Sequence, residues 1–168
     1  MYKSAKLNAH IMAKTLCNIK DIPFIWPIIT NTYGVGEKSA RLVNTLIRQL
    51  LKSESPEVTK ADQLYDFIYI DDLVEAFYLL GMYGKDNTEY TIGSGNVLPL
   101  KDYLEEIRIS VNPQVNMGYG KKIFSGIYLP RESYAIDNLV NDTGFKPAIS
   151  FLEGIRLTTE WIKQTEYN

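Results

Sequence analysis

The run Ile22-Pro23-Phe24-Ile25-Trp26-Pro27-Ile28-Ile29 presents no polar side chain on either face of an extended strand, so both faces need cover. It is interrupted by two prolines and is far shorter than the roughly 20 residues of a membrane helix. A buried strand in a parallel sheet is the reading that remains. Just before it, Tyr2 to Cys17 carries Ala5, Ala9, Met12 and Leu16 at helical spacing, which predicts a helix packed through this small and apolar side. Helix followed by buried strand is the rhythm of an α/β fold.

The rest of the chain continues that rhythm. After a polar, glycine-containing loop at Asn31 to Gly36, the stripe Val43, Leu46, Ile47, Leu50 and Leu51 predicts an amphipathic helix. Tyr65 to Ile70 reads as a short strand. Asp72-Leu73-Val74-Glu75 reads as a capping box opening a helix to about Leu80, with Leu73, Ala76, Phe77 and Leu80 inward. Glu89 to Ile92 alternates like a strand, Gly93-Ser94-Gly95 turns, and Leu100, Tyr103, Leu104 and Ile107 predict a helix opening after Pro99. Val111 to Pro130 has weak periodicity and reads as loop with short strands. Ser150 and Glu153 form a second capping box before a helix containing Ile155, Trp161 and Ile162. No repeat or flexible linker divides residues 1–168, so one contiguous unit is expected.

Composition removes several classes of function. The 168 residues are 45% hydrophobic, enough for a real core, and 18 basic against 20 acidic residues leave a net charge of −2 without a basic stretch that would suit nucleic acid. Cys17 is the single cysteine, so no internal disulfide can form, and no apolar leader follows a basic start. The expectation is a cytoplasmic protein without membrane or nucleic-acid partners. The one histidine, His10, lies seven residues from Cys17 and lacks the further ligands of a zinc site, so no metal is expected. The absence of a Gly-x-Ser-x-Gly elbow argues against a Ser-His-Asp hydrolase.

Tyr2 and Lys6 stand four apart, one helical turn above the other, so their head groups can share one reactant. A tyrosine with a pKa near ~10 needs a neighbouring positive charge to act as a base at neutral pH, and Lys6 can supply it. Chance pairs of this kind are common on helices. The segment Tyr2-Lys3-Ser4-Ala5-Lys6 nevertheless matches the Tyr-x-x-x-Lys motif, and four further segments follow in order. These are Trp26 to Gly36 with Asn31-Thr32-Tyr33-Gly34-Val35-Gly36, then Tyr65-Asp66-Phe67-Ile68-Tyr69-Ile70-Asp71-Asp72, then Tyr90-Thr91-Ile92-Gly93-Ser94-Gly95, and Thr143-Gly144-Phe145-Lys146-Pro147 with Phe151-Leu152-Glu153-Gly154-Ile155 and Trp161. Together they resemble the extended short-chain dehydrogenases/reductases, the NAD-dependent epimerase/dehydratase family that modifies nucleotide sugars.

The resemblance implies the C-terminal part of a Rossmann-like doubly wound sheet plus the smaller α/β substrate-binding domain. It implies that Tyr2 exchanges a proton with a sugar hydroxyl while a hydride moves to or from NAD or NADP. Lys6 would lower the tyrosine pKa and hold the nicotinamide ribose. Pro27, Ile28, Ile29 and Thr30 would lie near the nicotinamide, and Asn31, Tyr65 and Arg131 near the sugar nucleotide. Homodimer formation through the Tyr-x-x-x-Lys helix is a further implication. At Tyr65 the family usually has an arginine, and a phenol cannot replace its bidentate grip on a diphosphate. Arg41 and Arg48 lie on the helix expected to face the substrate.

A dinucleotide fingerprint needs Gly-x-Gly-x-x-Gly between a strand and a helix. Gly34-x-Gly36, Gly93-x-Gly95 and Gly118-x-Gly120 each lack the third glycine, with Ser39, Leu98 and Ile123 in its place. The expectation is therefore an incomplete chain, with Met1 an internal methionine or the start of a gene fragment. Such a chain would show little turnover alone and would expose apolar surface at Phe24, Ile25, Ile28 and Ile29. The other reading is a noncatalytic sugar-nucleotide-binding remnant or partner subunit.

Overall fold

The computed structural model describes residues 2–167, with side chains from Ser4 onward. Helix α1 (Tyr2–Lys20) leads into β1 (Ile25–Ile29) and β2 (Asn31–Tyr33), followed by α2 (Leu42–Leu51), β3 (Leu64–Tyr65), β4 (Phe67–Tyr69) and α3 (Ile70–Tyr83). Then come β5 (Thr88–Ile92), β6 (Leu98–Pro99), α4 (Leu100–Val111), a 3-10 turn (Arg131–Tyr134), α5 (Asp137–Thr143) and α6 (Phe151–Glu166). Strands β1 and β5 pair in parallel from Ile25 opposite Thr88 to Ile29 opposite Ile92. Parallel β2 and β4 form a second pair, and β3 with β6 an antiparallel third.

The strand expected to be buried on both faces is only partly covered: no residue of β1 is fully buried, and cover is confined to its first residues. Phe24 and Trp26 point one way, and the His10 ring of α1 stacks on Trp26 with centroids 4.5 Å apart. Ile25 points the other way, toward Gly84 at the end of α3, where an added Cβ would meet its Cδ1 atom. Helices on opposite faces of a parallel pair make this a doubly wound α/β arrangement, as expected.

Two apolar cores hold the chain. One joins α3, β5 and α5 through Leu73, Ala76, Leu80, Tyr90, Ile92, Leu139 and Phe145. The other lies among α2, α4 and α6, where Ile47, Leu50, Leu104, Ile107, Ile155 and Ile162 are fully buried. Each such aliphatic side chain stabilises the fold by roughly 1.5–3 kcal/mol. Ile70 packs against both cores and ties them together.

Several expectations need correction. Helix α1 forms, but its small and apolar side is exposed: Ala5, Ala9, Met12 and Leu16 face out, with Met12 71% exposed, and His10, Ala13, Lys14 and Cys17 are the half-buried positions. Periodicity identified a stripe without identifying what covers it. Ile28 and Ile29 are exposed as anticipated for an uncovered strand, whereas Phe24 is buried and Ile25 half-buried. The Asn31 to Gly36 segment is not all loop, since its first three residues pair with β4. The expected strand from Tyr65 to Ile70 is broken at Asp66, and Ile70 already belongs to α3.

The Asp72 capping box does not form. Helix α3 begins three residues earlier, Tyr69 is its N-cap without a side-chain cap, and the Asp72 carboxylate instead accepts from Ala148 N at 2.9 Å and Ile149 N at 3.0 Å. Phe77, expected inward, is 42% exposed. At α6 the Ser150 half of the second box forms, with Oγ accepting from Glu153 N, while the Glu153 carboxylate pairs with Arg156. No described helix is long and apolar enough to cross a membrane.

Candidate active site

Two adjoining clefts open where β1 and β5 end. Thr30 N donates to Ile92 O at 3.0 Å, extending the parallel pairing by one bond, and beyond it the chains separate. The crevice outside the carboxyl ends of parallel strands is where ligands bind in open α/β sheets. The larger cleft, about 790 Å³, is lined by Ile29 to Glu37, by Arg41 to Val43, and by Tyr65, Phe67 and Ile70. The smaller, about 270 Å³, is lined by Ile28 to Asn31, Leu64, Tyr65, Thr91, Phe124, Gly126, Ile127, Leu129, Ser133 and Tyr134.

Ile29, Thr30, Asn31 and Tyr65 line both clefts and so mark their junction. The Thr30 hydroxyl is buried there without a hydrogen-bond partner among the described residues. Asn31 Nδ2 donates to Asp66 O at 3.2 Å, which fixes the plane of its amide. Tyr65, held on β3, stacks obliquely on Phe67 with centroids 5.5 Å apart and presents a phenol at the cleft junction.

The wall of the larger cleft is tightly built. Gly34 has φ +146°, and a Cβ there would lie 2.7 Å from Ile70 Cγ2, so the chain passes close to α3 only with glycine. Asn44, fully buried on α2, donates to Gly34 O at 3.0 Å and Glu37 O at 3.3 Å. Tyr33 donates its hydroxyl to Phe151 O at 3.0 Å, and burial pushes its pKa well above the ordinary phenol value. At neutral pH it is a fixed donor and not a base.

The remaining expected residues lie elsewhere. Lys6 is exposed on α1 and Pro27 is half-buried in β1 opposite Tyr90, and neither lines a cleft. The side chain of Tyr2 lies outside the described residues. Arg131 also lies outside both clefts and donates to Val97 O at 2.7 Å. Arg48, expected to face substrate, is instead bound to both carboxylate oxygens of Glu166 and to Glu37 O. Arg41 does line the larger cleft.

Sequence reasoning gave no role to Asp66, Ser94, Phe124, Ile127 or Leu129. Asp66 is fully buried, and burial pushes its carboxyl pKa up while hydrogen bonds from Ser94 and Gly95 oppose the shift. Its position inside a quoted motif was the available signal. For Phe124, Ile127 and Leu129 there was none, because their stretch has neither helical nor strand spacing. Among the described residues, no cluster of three or more His, Cys, Asp or Glu is arranged to hold a metal ion.

A doubly wound α/β chain with clefts at the carboxyl ends of its parallel strands has the form of a nucleotide-handling domain. Residues 1–93, more than half of the chain, match the NAD dependent epimerase/dehydratase family, and the chain belongs to that family. It is 28% identical over 172 residues to the dTDP-glucose 4,6-dehydratase of Shigella flexneri, covering 95% of this chain and 46% of that protein. With the CDP-abequose synthase of Salmonella typhimurium it shares 27% identity over 147 residues, covering 82% and 48%. The chain thus spans about half the length of the curated relatives it matches. Its fold is that of the UDP-glucose 4-epimerase of Thermotoga maritima, solved with UDP-glucose, at a TM-score of 0.85, 20% identity and coverage of 98% and 53%. The dTDP-glucose 4,6-dehydratase of Bacillus anthracis, solved with NAD, gives a TM-score of 0.85 at 18% identity, covering 99% and 53%.

Proposed function

We propose that the chain forms the substrate-covering part of a nucleotide-sugar epimerase, dehydratase or reductase, with the sugar at the junction of the two clefts. The observation that carries this reading is the convergence of Thr30, Asn31 and Tyr65 at the carboxyl ends of parallel strands in a member of this family. Relatives named for dTDP- and CDP-sugar chemistry support the nucleotide-sugar class.

The residues present fit one end of an NAD or NADP molecule. Ile28 and Ile29, both exposed, offer an apolar surface that suits the face of a nicotinamide. They do not fit its pyrophosphate: Gly34 and Gly36 lie between β2 and a helix that starts at Leu42, Gly93 and Gly95 lead into strand β6, and Gly118 bridges to Glu57. None stands at a strand-to-helix turn with its amides on a helix N-terminus. A bound nicotinamide supplies the hydride acceptor or donor. In this reading Tyr2 takes or returns the proton of a sugar hydroxyl, Lys6 one turn away stabilises the phenolate and holds the ribose, and Pro27 backs the strand beneath. Asn31 and Tyr65 contact the sugar nucleotide, and Arg131 would reach it only by giving up its bond to Val97 O. Joined to the dinucleotide-binding half of a full-length relative, the chain carrying Tyr2→Phe is expected to turn over about 10²–10⁴-fold more slowly than the same fusion with Tyr2, with sugar-nucleotide affinity kept. Equal turnover in the variant would remove Tyr2 from the chemistry.

The same reading makes the uncovered face of α1 an association surface. Leu7, Ile11, Met12, Leu16 and Ile19 are each more than half exposed, so sedimentation at micromolar concentration is expected to show species larger than a monomer. Leu16→Lys with Ile19→Lys reduces that species; a monomer in the parent chain would contradict the expectation.

A further inference from the structure

Asp66 sits at the bend between β3 and β4, with its side chain fully buried. Its carboxylate accepts from Ser94 N and from Gly95 N, each at 3.0 Å, and from the Ser94 hydroxyl. Its carbonyl oxygen accepts from Asn31 Nδ2. One residue therefore joins the turn after β5 to the amide that lines both clefts. Gly93 makes the approach possible: a Cβ there would overlap the Asp66 carboxylate and lie 3.0 Å from Thr30 Cγ2.

A buried carboxyl group costs stability unless its lone pairs are met, and here two backbone amides and a hydroxyl meet them. The consequence reaches beyond the turn. The clamp on its side chain and the strand pairing of Tyr65 and Phe67 on either side together limit the directions open to the carbonyl that receives Asn31. With one amide hydrogen committed to that carbonyl, Asn31 cannot flip, and its Oδ1 acceptor has a fixed place at the cleft junction.

We propose that Asp66 is a positioning residue for Asn31: clamped by Ser94 and Gly95, it orients the Asn31 amide so that Oδ1 accepts a hydroxyl of the bound sugar nucleotide. The ligand half of this statement rests on the function proposed above; the orienting half does not. Asp66→Asn places an amide N–H₂ among donors, and Ser94→Ala removes one donor with little change in volume, so the second variant keeps the fold if the first does not.

The test follows the Asn31 side-chain amide by nitrogen-15 NMR, assigned by its loss in Asn31→Ala. In Asp66→Asn or Ser94→Ala its hydrogen exchange is expected to quicken about tenfold or more while backbone amides of α2 and α4 stay protected. Unchanged exchange of the Asn31 amide in both variants would overturn the proposal. Titration with UDP-glucose and dTDP-glucose supplies the second arm: Ser94→Ala weakens binding in the parent chain and has no further effect in the Asn31→Ala background. Equal losses in both backgrounds would show that Ser94 and Asp66 do not act through Asn31. If the parent chain binds neither sugar nucleotide, the proposed function fails, and the exchange arm alone decides the orienting link.

Discussion

Gly154→Ala lowers the stability of the chain by about 3 kcal/mol, near the upper end of what overpacking a core costs. Gly154 is buried on α6 against β2 and β4. A Cβ at this position would overlap the Tyr33 hydroxyl and lie 2.8 Å from both Tyr33 Cζ and Tyr69 Cδ2. Neither ring has room to yield. Tyr33 is 3% exposed, held by its bond to Phe151 O and packed edge-on to Phe67 and Tyr69. The urea midpoint is the measurement. Combining Gly154→Ala with Tyr33→Phe removes the hydroxyl overlap and recovers part of the loss. A Gly154→Ala chain as stable as the parent would mean that α6 does not approach the sheet this closely. Because Tyr33 also lines the larger cleft, the strain propagates from the core into the candidate site.

Asp72→Ala is expected to cost about 2 kcal/mol, the scale of losing hydrogen bonds made to a charged group. Its carboxylate, 5% exposed, accepts from Ala148 N and Ile149 N, and so docks the segment that precedes α6 onto the first turn of α3. Asp72→Asn keeps one acceptor and should lose less. A helix cap would predict a different pattern, with α3 fraying and α6 unaffected. Hydrogen exchange separates the two: loosening at Ala148 to Phe151 supports the long-range dock, whereas loosening confined to Ile70 to Leu73 would restore the cap.

Asp72 also shows why part of the fold was hidden in the sequence. The four residues Asp72 to Glu75 satisfy a local capping rule, but the donors that claim the carboxylate lie 76 and 77 positions away. Local rules succeeded where burial and spacing agree. Val43, Leu46, Ile47 and Leu50 on α2, and Leu100, Tyr103, Leu104 and Ile107 on α4, fall at helical spacing and are all buried. In α1 the spacing was equally clear and the helix formed, yet Met12 and Leu16 face outward, because an apolar stripe states a need for cover and does not supply it.

The candidate site divides in the same way. Ile28 and Ile29 end β1 and, with Thr30 and Asn31 after them, reach the clefts together, and Tyr65 joins them from β3. The Asp66 clamp depends on a partner 28 residues away that no spacing rule connects. Phe124 and Tyr134 close the smaller cleft from a segment held by long-range bonds such as Tyr134 to Leu64 O at 2.7 Å and Tyr128 to Asp62. Long-range pairing of this kind leaves no period behind.

Calorimetric titration of the purified chain with NAD, NADP and a panel of UDP-, dTDP-, GDP- and CDP-sugars tests the central claim most directly. Clefts built around Thr30, Asn31 and Tyr65 without a glycine cradle for pyrophosphate predict saturable binding of a sugar nucleotide and weak or absent binding of the dinucleotides. Tight dinucleotide binding, with no heat from any sugar nucleotide, would contradict it.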